Sequence, residues 1–249
     1  MAISINRLKD YFPNRHDYPA DLNILSKIDS KEYYNAIEAS ASAYFDSPLI
    51  VKKLFYKRLE KTISLIDKKK YLSSLDAGTG IGILIPYLSK ISKKVLAVDY
   101  TNIINYAKAM VKKKEISNVS FKKLDLTTVK FKKKFDIIIC LSVLEHIDDT
   151  DKVFDNLYNS LENGGLLIVG YPLESKLIKF IRNIESLFRK NMSKQATSYG
   201  YKKTKYFTGH ISDWKKIDNS MKKYFKINEK VDLSFFFIKY YALRKAYRK

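Results

Sequence analysis

The chain has 249 residues, 47 lysines and arginines against 26 aspartates and glutamates, and a net charge of +21. That length suits one large domain, or a domain with attachments, with ample core for unaided folding. One cysteine, Cys140, excludes an internal disulfide and fits a reducing compartment.

No apolar segment approaches the roughly 20 residues a membrane-spanning helix needs. Arg7, Lys9 and Asp10 interrupt any signal-peptide core, so the protein is expected in the cytoplasm.

Residues 1–71 read as a helical lead-in. Tyr33-Tyr34 and Tyr44-Phe45 are aromatic pairs within it, and Ile50, Leu54, Leu59, Ile63 and Ile66 recur at helical spacing opposite Lys53, Lys57 and Lys61. The main domain is expected over 72–249. Leu72 to Leu75 forms a short buried strand, followed by Asp76-Ala77-Gly78-Thr79-Gly80-Ile81-Gly82 and then Ile83, Leu84, Tyr87 and Leu88 on helical spacing.

A glycine-rich strand-to-helix turn lets a ligand approach the main chain, with helix N–H groups facing it. A dinucleotide turn of the form G-x-G-x-x-G needs its third glycine at the position of Ile83, which turns the reading away from NAD.

Further strands follow at Val95–Val98, ending at Asp99, at Val119–Phe121 with Leu124, ending at Asp125, at Phe135–Leu141, and at Gly165–Val169. Helical stretches separate them, notably Asn102–Lys114 and Thr150–Leu161. Strands alternating with helices argue for a parallel sheet covered on both faces, with ligands beyond the carboxyl ends of the strands. Asp76, Asp99 and Asp125 all stand at that edge.

An insertion over about 172–210 carries Leu173, Leu177, Ile181, Ile184 and Phe188 on one stripe, with Lys176, Lys179, Arg182, Arg189 and Lys190 around it. This basic amphipathic helix, 173–190, reads as a pocket cap or as a peripheral membrane contact; the cap is favoured because apolar stripes usually face protein. Ile211–Met221 reads as a helix, and Tyr224–Val231 and Phe235–Leu243 as strands.

The Asp76-to-Gly82 turn resembles motif I of the class I S-adenosylmethionine-dependent methyltransferases, with Thr79 where relatives commonly carry cysteine. Leu141-Ser142-Val143-Leu144-Glu145-His146-Ile147 is similar to the family's segment after strand four, and Glu162-Asn163-Gly164-Gly165 to its turn before strand five. The resemblance covers about 72–171. It implies a Rossmann-like α/β fold with a seven-stranded, mostly parallel sheet, an antiparallel last strand and helices on both faces.

It also implies S-adenosylmethionine as cofactor, whose ribose, adenine and ammonium groups are donors that carboxylates accept strongly. By that resemblance Asp99 takes the ribose hydroxyls, Asp125 and the Leu126 backbone hold the adenine, and Tyr100 packs beside it. Asp76, Gly78, Thr79, Gly80 and Gly82 face the methionine moiety, with Leu141 beside them. Aromatic lead-ins such as Tyr33-Tyr34 and Tyr44-Phe45 fold over the cofactor in many relatives.

Singly, Asp99 and Asp125 are also ordinary turn residues or helix caps, the reading favoured for Asp125 taken alone. Three aspartates after three successive strands, with the glycine turn, are not.

His146 follows strand four and is the first candidate for a base that deprotonates the acceptor, with His210 second; each is equally a structural histidine. No cysteine or histidine cluster has metal-ligand spacing, so no metal is expected.

The expected reaction is methyl transfer to a small-molecule, lipid-linked or sugar acceptor, most readily at oxygen. RNA or DNA methylation is the alternative, motivated by charge. Against it, strand four lacks the Asn/Asp-Pro-Pro-aromatic ending of base amino-methylases, and the lysine runs are dispersed, which fits only weak, non-specific polyanion binding. A non-catalytic protein that kept the fold is the third reading.

Overall fold

The computed structural model describes residues 11–20, 41–45, 47–67, 69–173, 211–235 and 238–248. Seven strands form one sheet in the order β3-β2-β1-β4-β5-β7-β6: β1 (Tyr71–Ala77), β2 (Ser92–Asp99), β3 (Val119–Lys123), β4 (Phe135–Leu141), β5 (Leu161–Pro172), β6 (Phe225–Phe235) and β7 (Ile238–Arg248). All neighbours are parallel except β7, which runs antiparallel to both β5 and β6. The helices are α1 (Ala41–Phe45), α2 (Leu49–Leu65), α3 (Ile85–Ile91), α4 (Ile104–Lys113), α5 (Thr150–Ser160) and α6 (Trp214–Tyr224).

The central strands are apolar on both faces, and their side chains sort by the period of two that a pleated strand imposes. Ile137 and Ile139 of β4 and Leu166 and Ile168 of β5 enter one core with Leu59 and Ile63 of α2, Leu88 of α3 and Met110 of α4. Ile138, Cys140, Leu167 and Val169 enter the other, with Phe154 and Leu157 of α5 and Met221 of α6. Each such fully buried aliphatic or aromatic side chain contributes roughly 1.5–3 kcal/mol. Cys140 sits there as a small hydrophobe, its thiol pushed far up by burial.

The described lead-in adds an aromatic layer to the first core. Phe12 meets Tyr56 at 5.8 Å between ring centroids, Tyr18 meets Phe45 at 5.4 Å, and Tyr44 meets Phe55 at 5.4 Å. The Tyr240 hydroxyl donates to the Leu54 carbonyl at 3.1 Å, tying β7 to α2.

Several boundaries differ from the sequence reading: in the final hairpin Phe235 ends β6 and β7 runs over Ile238–Arg248, and three other differences have tertiary reasons. The sixth helix starts at Trp214, not Ile211, because the Ile211 and Ser212 N–H groups bond the Glu145 carbonyl at 2.7 and 3.2 Å. Asp213 then caps it by accepting from the Lys216 N–H at 2.8 Å. Strand β3 stops at Lys123, leaving Asp125 in the following turn, where it accepts from the Thr127 N–H at 2.8 Å. Strand β5 takes in the turn before it, starting at Leu161, which pairs with Phe135 across a register shift. Most of the 172–210 insertion, and Tyr33-Tyr34, lie outside the described residues.

Candidate active site

The sheet changes winding direction between β1 and β4, and there the carboxyl ends of the strands open on a cavity of about 710 Å³. Asp76, Gly78, Thr79, Gly80, Asp99, Tyr100, Asp125, Leu126, Leu141 and His146 all line it. Gly82 does not. With φ of +80° it packs outward, where an added Cβ would stand 2.9 Å from the Ala107 Cβ, so its job is to let α4 approach. His210 lies outside the described residues.

The glycine turn is fastened to the end of β2. Gly78 and Thr79 N–H groups donate to the Val98 carbonyl at 2.9 and 2.8 Å, and the Gly80 N–H donates to Asp99 Oδ2 at 2.8 Å. Asp99 Oδ1 accepts from the Thr101 N–H and hydroxyl, both at 2.8 Å. Both oxygens are thereby oriented; Oδ1 is filled by its two bonds, and Oδ2 retains lone-pair capacity. Gly78 admits no side chain: its φ is +82°, and an added Cβ would stand 2.0 Å from Val143 Cγ2.

Asp76 is buried, and its Oδ2 accepts from the Thr79 hydroxyl at 2.6 Å. Burial lifts its carboxyl to about 6, the Thr79 hydrogen bond opposes that, and the charge of Asp99 adds to it. Asp125 Oδ1 accepts from the Thr127 hydroxyl at 2.7 Å. The three carboxylates mark the ends of β1 and β2 and the turn after β3.

Arg58 of α2 is a cavity residue that the sequence did not reveal. It is only 8% exposed, yet among the described residues no carboxylate pairs with it. Its Nη2 donates to the Tyr44 hydroxyl at 3.2 Å and its Nη1 to Ser142 Oγ at 3.3 Å, while Nε has no hydrogen-bond partner. Its guanidinium lies 3.8 Å from the Phe55 ring centroid and 4.6 Å from that of Tyr241. A buried cation without an anion is costly unless a ligand supplies one. The available signal was an arginine on the Val51–Leu54 stripe of α2, in a chain with seven arginines among 47 basic residues. Tyr44, Ser142 and Tyr241 also line the cavity.

Among the described residues, no three histidine, cysteine, aspartate or glutamate side chains converge as a metal site requires, and no helix is long and apolar enough to cross a membrane.

A family model described as "Methyltransferase domain" matches residues 68–228. The chain belongs to that family. Its cofactor is S-adenosylmethionine, and the cavity suits it: an acid at the end of β1, another at the end of β2 and a third in the turn after β3, a cradle that a single Cβ would fill, and one buried cation.

The chain is similar to the ubiquinone biosynthesis O-methyltransferase of Coxiella burnetii, strain Dugway 5J108-111, at 30% identity over 120 residues, covering 47% of this chain and 49% of that protein. It thus spans about half the length of the curated relatives it matches. Two solved structures share the fold. The N-methyltransferase NodS of Bradyrhizobium japonicum WM9 with S-adenosyl-L-homocysteine has a TM-score of 0.61 at 15% identity, over 86% of this chain and 98% of its own. The PH0226 protein of Pyrococcus horikoshii OT3 has 0.62 at 20% identity, over 84% and 96%.

Proposed function

We propose that this methyltransferase moves a methyl group from S-adenosylmethionine to an oxygen of a small acceptor, which is a free small molecule, a lipid-linked intermediate or a sugar. One observation carries the reading: a single cavity holds three carboxylates at successive strand ends and one buried arginine that no described carboxylate neutralises. The cofactor has the complementary charges, an ammonium and a sulfonium toward Asp76 and a carboxylate toward Arg58. The O-methyltransferase names of the curated relatives support oxygen as the acceptor atom.

In this assignment Asp99 receives the ribose hydroxyls at Oδ2, on the lone pair left free beside the Gly80 N–H. Asp125 and the Leu126 backbone take the adenine, with exposed Tyr100 packing beside it. Asp76 and the Gly78–Gly80 turn face the methionine chain, and Arg58 binds its carboxylate in a charge-assisted pair. Bound S-adenosylmethionine supplies a methyl group made electrophilic by its sulfonium. The protein's task is to hold the acceptor in line and to receive its proton, and both raise the rate. His146, on the cavity wall after β4, is the base assigned to that proton.

Calorimetric titration with S-adenosylmethionine, S-adenosylhomocysteine and NAD, followed by labelled-methyl transfer to hydroxyl and amine acceptors, tests the assignment. Binding of both sulfur ligands without NAD, and label on oxygen, is expected. Failure of both to bind overturns the cofactor site, and label on nitrogen alone overturns the acceptor atom.

A further inference from the structure

Apart from Leu141 and Arg58, the assigned cofactor residues run outward from β1 to β3, which leaves most of the β4–β5–β7 side of the same cavity for the acceptor. The wall there is built for one contact. Tyr241 of β7 sits beside β5, its Cα paired with Pro172. Its hydroxyl reaches across Gly170, where an added Cβ would stand 2.7 Å from that oxygen, so glycine is what opens the path. It meets Ser142 Oγ at 3.0 Å. Ser142 is a non-glycine residue at φ +55°, held in that left-handed turn by its N–H donating to the Gly170 carbonyl at 2.7 Å. Backbone in this region collects at functional sites.

Proton counting makes the pair informative. Arg58 Nη1 donates to Ser142 Oγ at 3.3 Å, and a guanidinium accepts nothing. The two hydroxyls own two protons, and the bond between them uses one. Among the described residues the other has no acceptor, whichever hydroxyl holds it. Burial pushes the Tyr241 phenol up, so it keeps its proton and acts as a donor, not a base.

Resting on the cofactor assignment above, we propose that the Ser142–Tyr241 pair positions the acceptor by donating its one uncommitted O–H to an acceptor oxygen. With Arg58 paired to the cofactor carboxylate, that O–H does the selecting, and it favours acceptors that offer an oxygen lone pair. A protonated amine has no lone pair to offer that O–H. The pair is a positioning element, and selection for oxygen is its consequence.

The test uses the full chain saturated with S-adenosylhomocysteine and two probes, 4-nitrophenol and benzylamine. 4-Nitrophenol reports its ionisation by absorbance. Wild type is expected to bind it and to lower its ionisation midpoint, since a hydrogen-bond donor favours the phenolate. Benzylamine is expected not to bind. Tyr241→Phe, which keeps the ring under Arg58, weakens 4-nitrophenol about tenfold and returns its midpoint toward the free value. It leaves S-adenosylhomocysteine affinity within about twofold. Ser142→Ala acts in the same direction and provides a second reading should either variant fold poorly.

Absence of 4-nitrophenol binding to wild type, an unmoved midpoint in both variants, or equal binding of benzylamine overturns the proposal. So does a loss of S-adenosylhomocysteine affinity matching the loss for 4-nitrophenol, which would assign the pair to the cofactor carboxylate. Failure of S-adenosylhomocysteine to bind wild type is seen before any probe is added, and overturns the cofactor assignment instead.

Discussion

Replacing Asp76 by asparagine should make the apo protein more stable at neutral pH relative to acid pH, while weakening its grip on the cofactor. The side chain is 6% exposed, and its carboxyl is lifted from the ordinary 3.8 to about 6, chiefly by burial. At about 1.4 kcal/mol for each tenfold change in an equilibrium constant, holding it ionised at pH 7 costs the fold roughly 3 kcal/mol.

The native state binds this proton more tightly than the unfolded chain. Wild-type stability from this group is therefore full below about pH 4 and declines until the native carboxyl has titrated near pH 6. Above that it stays level. Asparagine does not titrate, and its amide oxygen still accepts the 2.6 Å hydrogen bond from Thr79. Its buried amide protons add a cost of about 1–3 kcal/mol, but that cost is independent of pH.

The prediction is therefore a swing. The variant's stability relative to wild type should improve by roughly 3 kcal/mol between about pH 3 and pH 7. At about 2–4 °C per kcal/mol for a chain of this size, that is about 6–12 °C in relative Tm. Paired thermal melts from pH 4.5 to 8 measure most of it. A difference that stays constant across that range refutes the placement of Asp76 as a buried, raised carboxyl. Calorimetry at pH 7.5 should show the variant binding S-adenosylmethionine at least about tenfold more weakly.

Three further changes probe the rest of the cavity. Asp99→Ala should weaken S-adenosylmethionine about tenfold to a hundredfold by removing the charged acceptor for the ribose; unchanged affinity in calorimetry removes that role. Arg58→Met should weaken S-adenosylmethionine about tenfold or more, yet leave decarboxylated S-adenosylmethionine nearly unaffected. Equal losses for both ligands would show that Arg58 is structural. Gly78→Ala should destabilise the fold by about 1–3 kcal/mol, because its φ of +82° and the Val143 methyl at 2.0 Å both oppose a Cβ. Adding Val143→Ala should restore only the contact part, and full recovery in denaturant titrations would discount the backbone strain.

How much of this was legible depends on whether the determining contact is local. Strand β4 runs over the predicted Phe135–Leu141 because four residues, Ile137 to Cys140, are apolar on both faces and no partner is needed to define it. Asp76 and Asp99 were legible for a related reason: an acid at the end of an apolar run, beside a glycine turn, is a pattern within one stretch of chain. Boundaries were lost where a distant group intervened, as when the Glu145 carbonyl claims the N–H groups of Ile211 and Ser212 and delays α6.

Arg58 escaped for a subtler reason. On α2 it follows Lys53 and Lys57 and reads as one more cation on a basic face, yet it shares the buried side with Val51, Leu54 and Leu59. Only the packing of α2 beside the cavity separates it from its neighbours. Ser142 gives no local sign either, because its left-handed backbone is held by a hydrogen bond to Gly170 of another strand.

Tyr241 is the extreme case. Its reach to Ser142 requires β7 to lie between β5 and β6, a strand order set by the return of the final hairpin. Arg58 apart, the half of the cavity assigned to the cofactor is thus written along single strand-to-helix turns, whereas the half assigned to the acceptor is written across strands. That division gives the acceptor side freedom to change: a substitution at Tyr241 or Ser142 alters the contacts around that hydroxyl pair and leaves the glycine turn and its three aspartates in place.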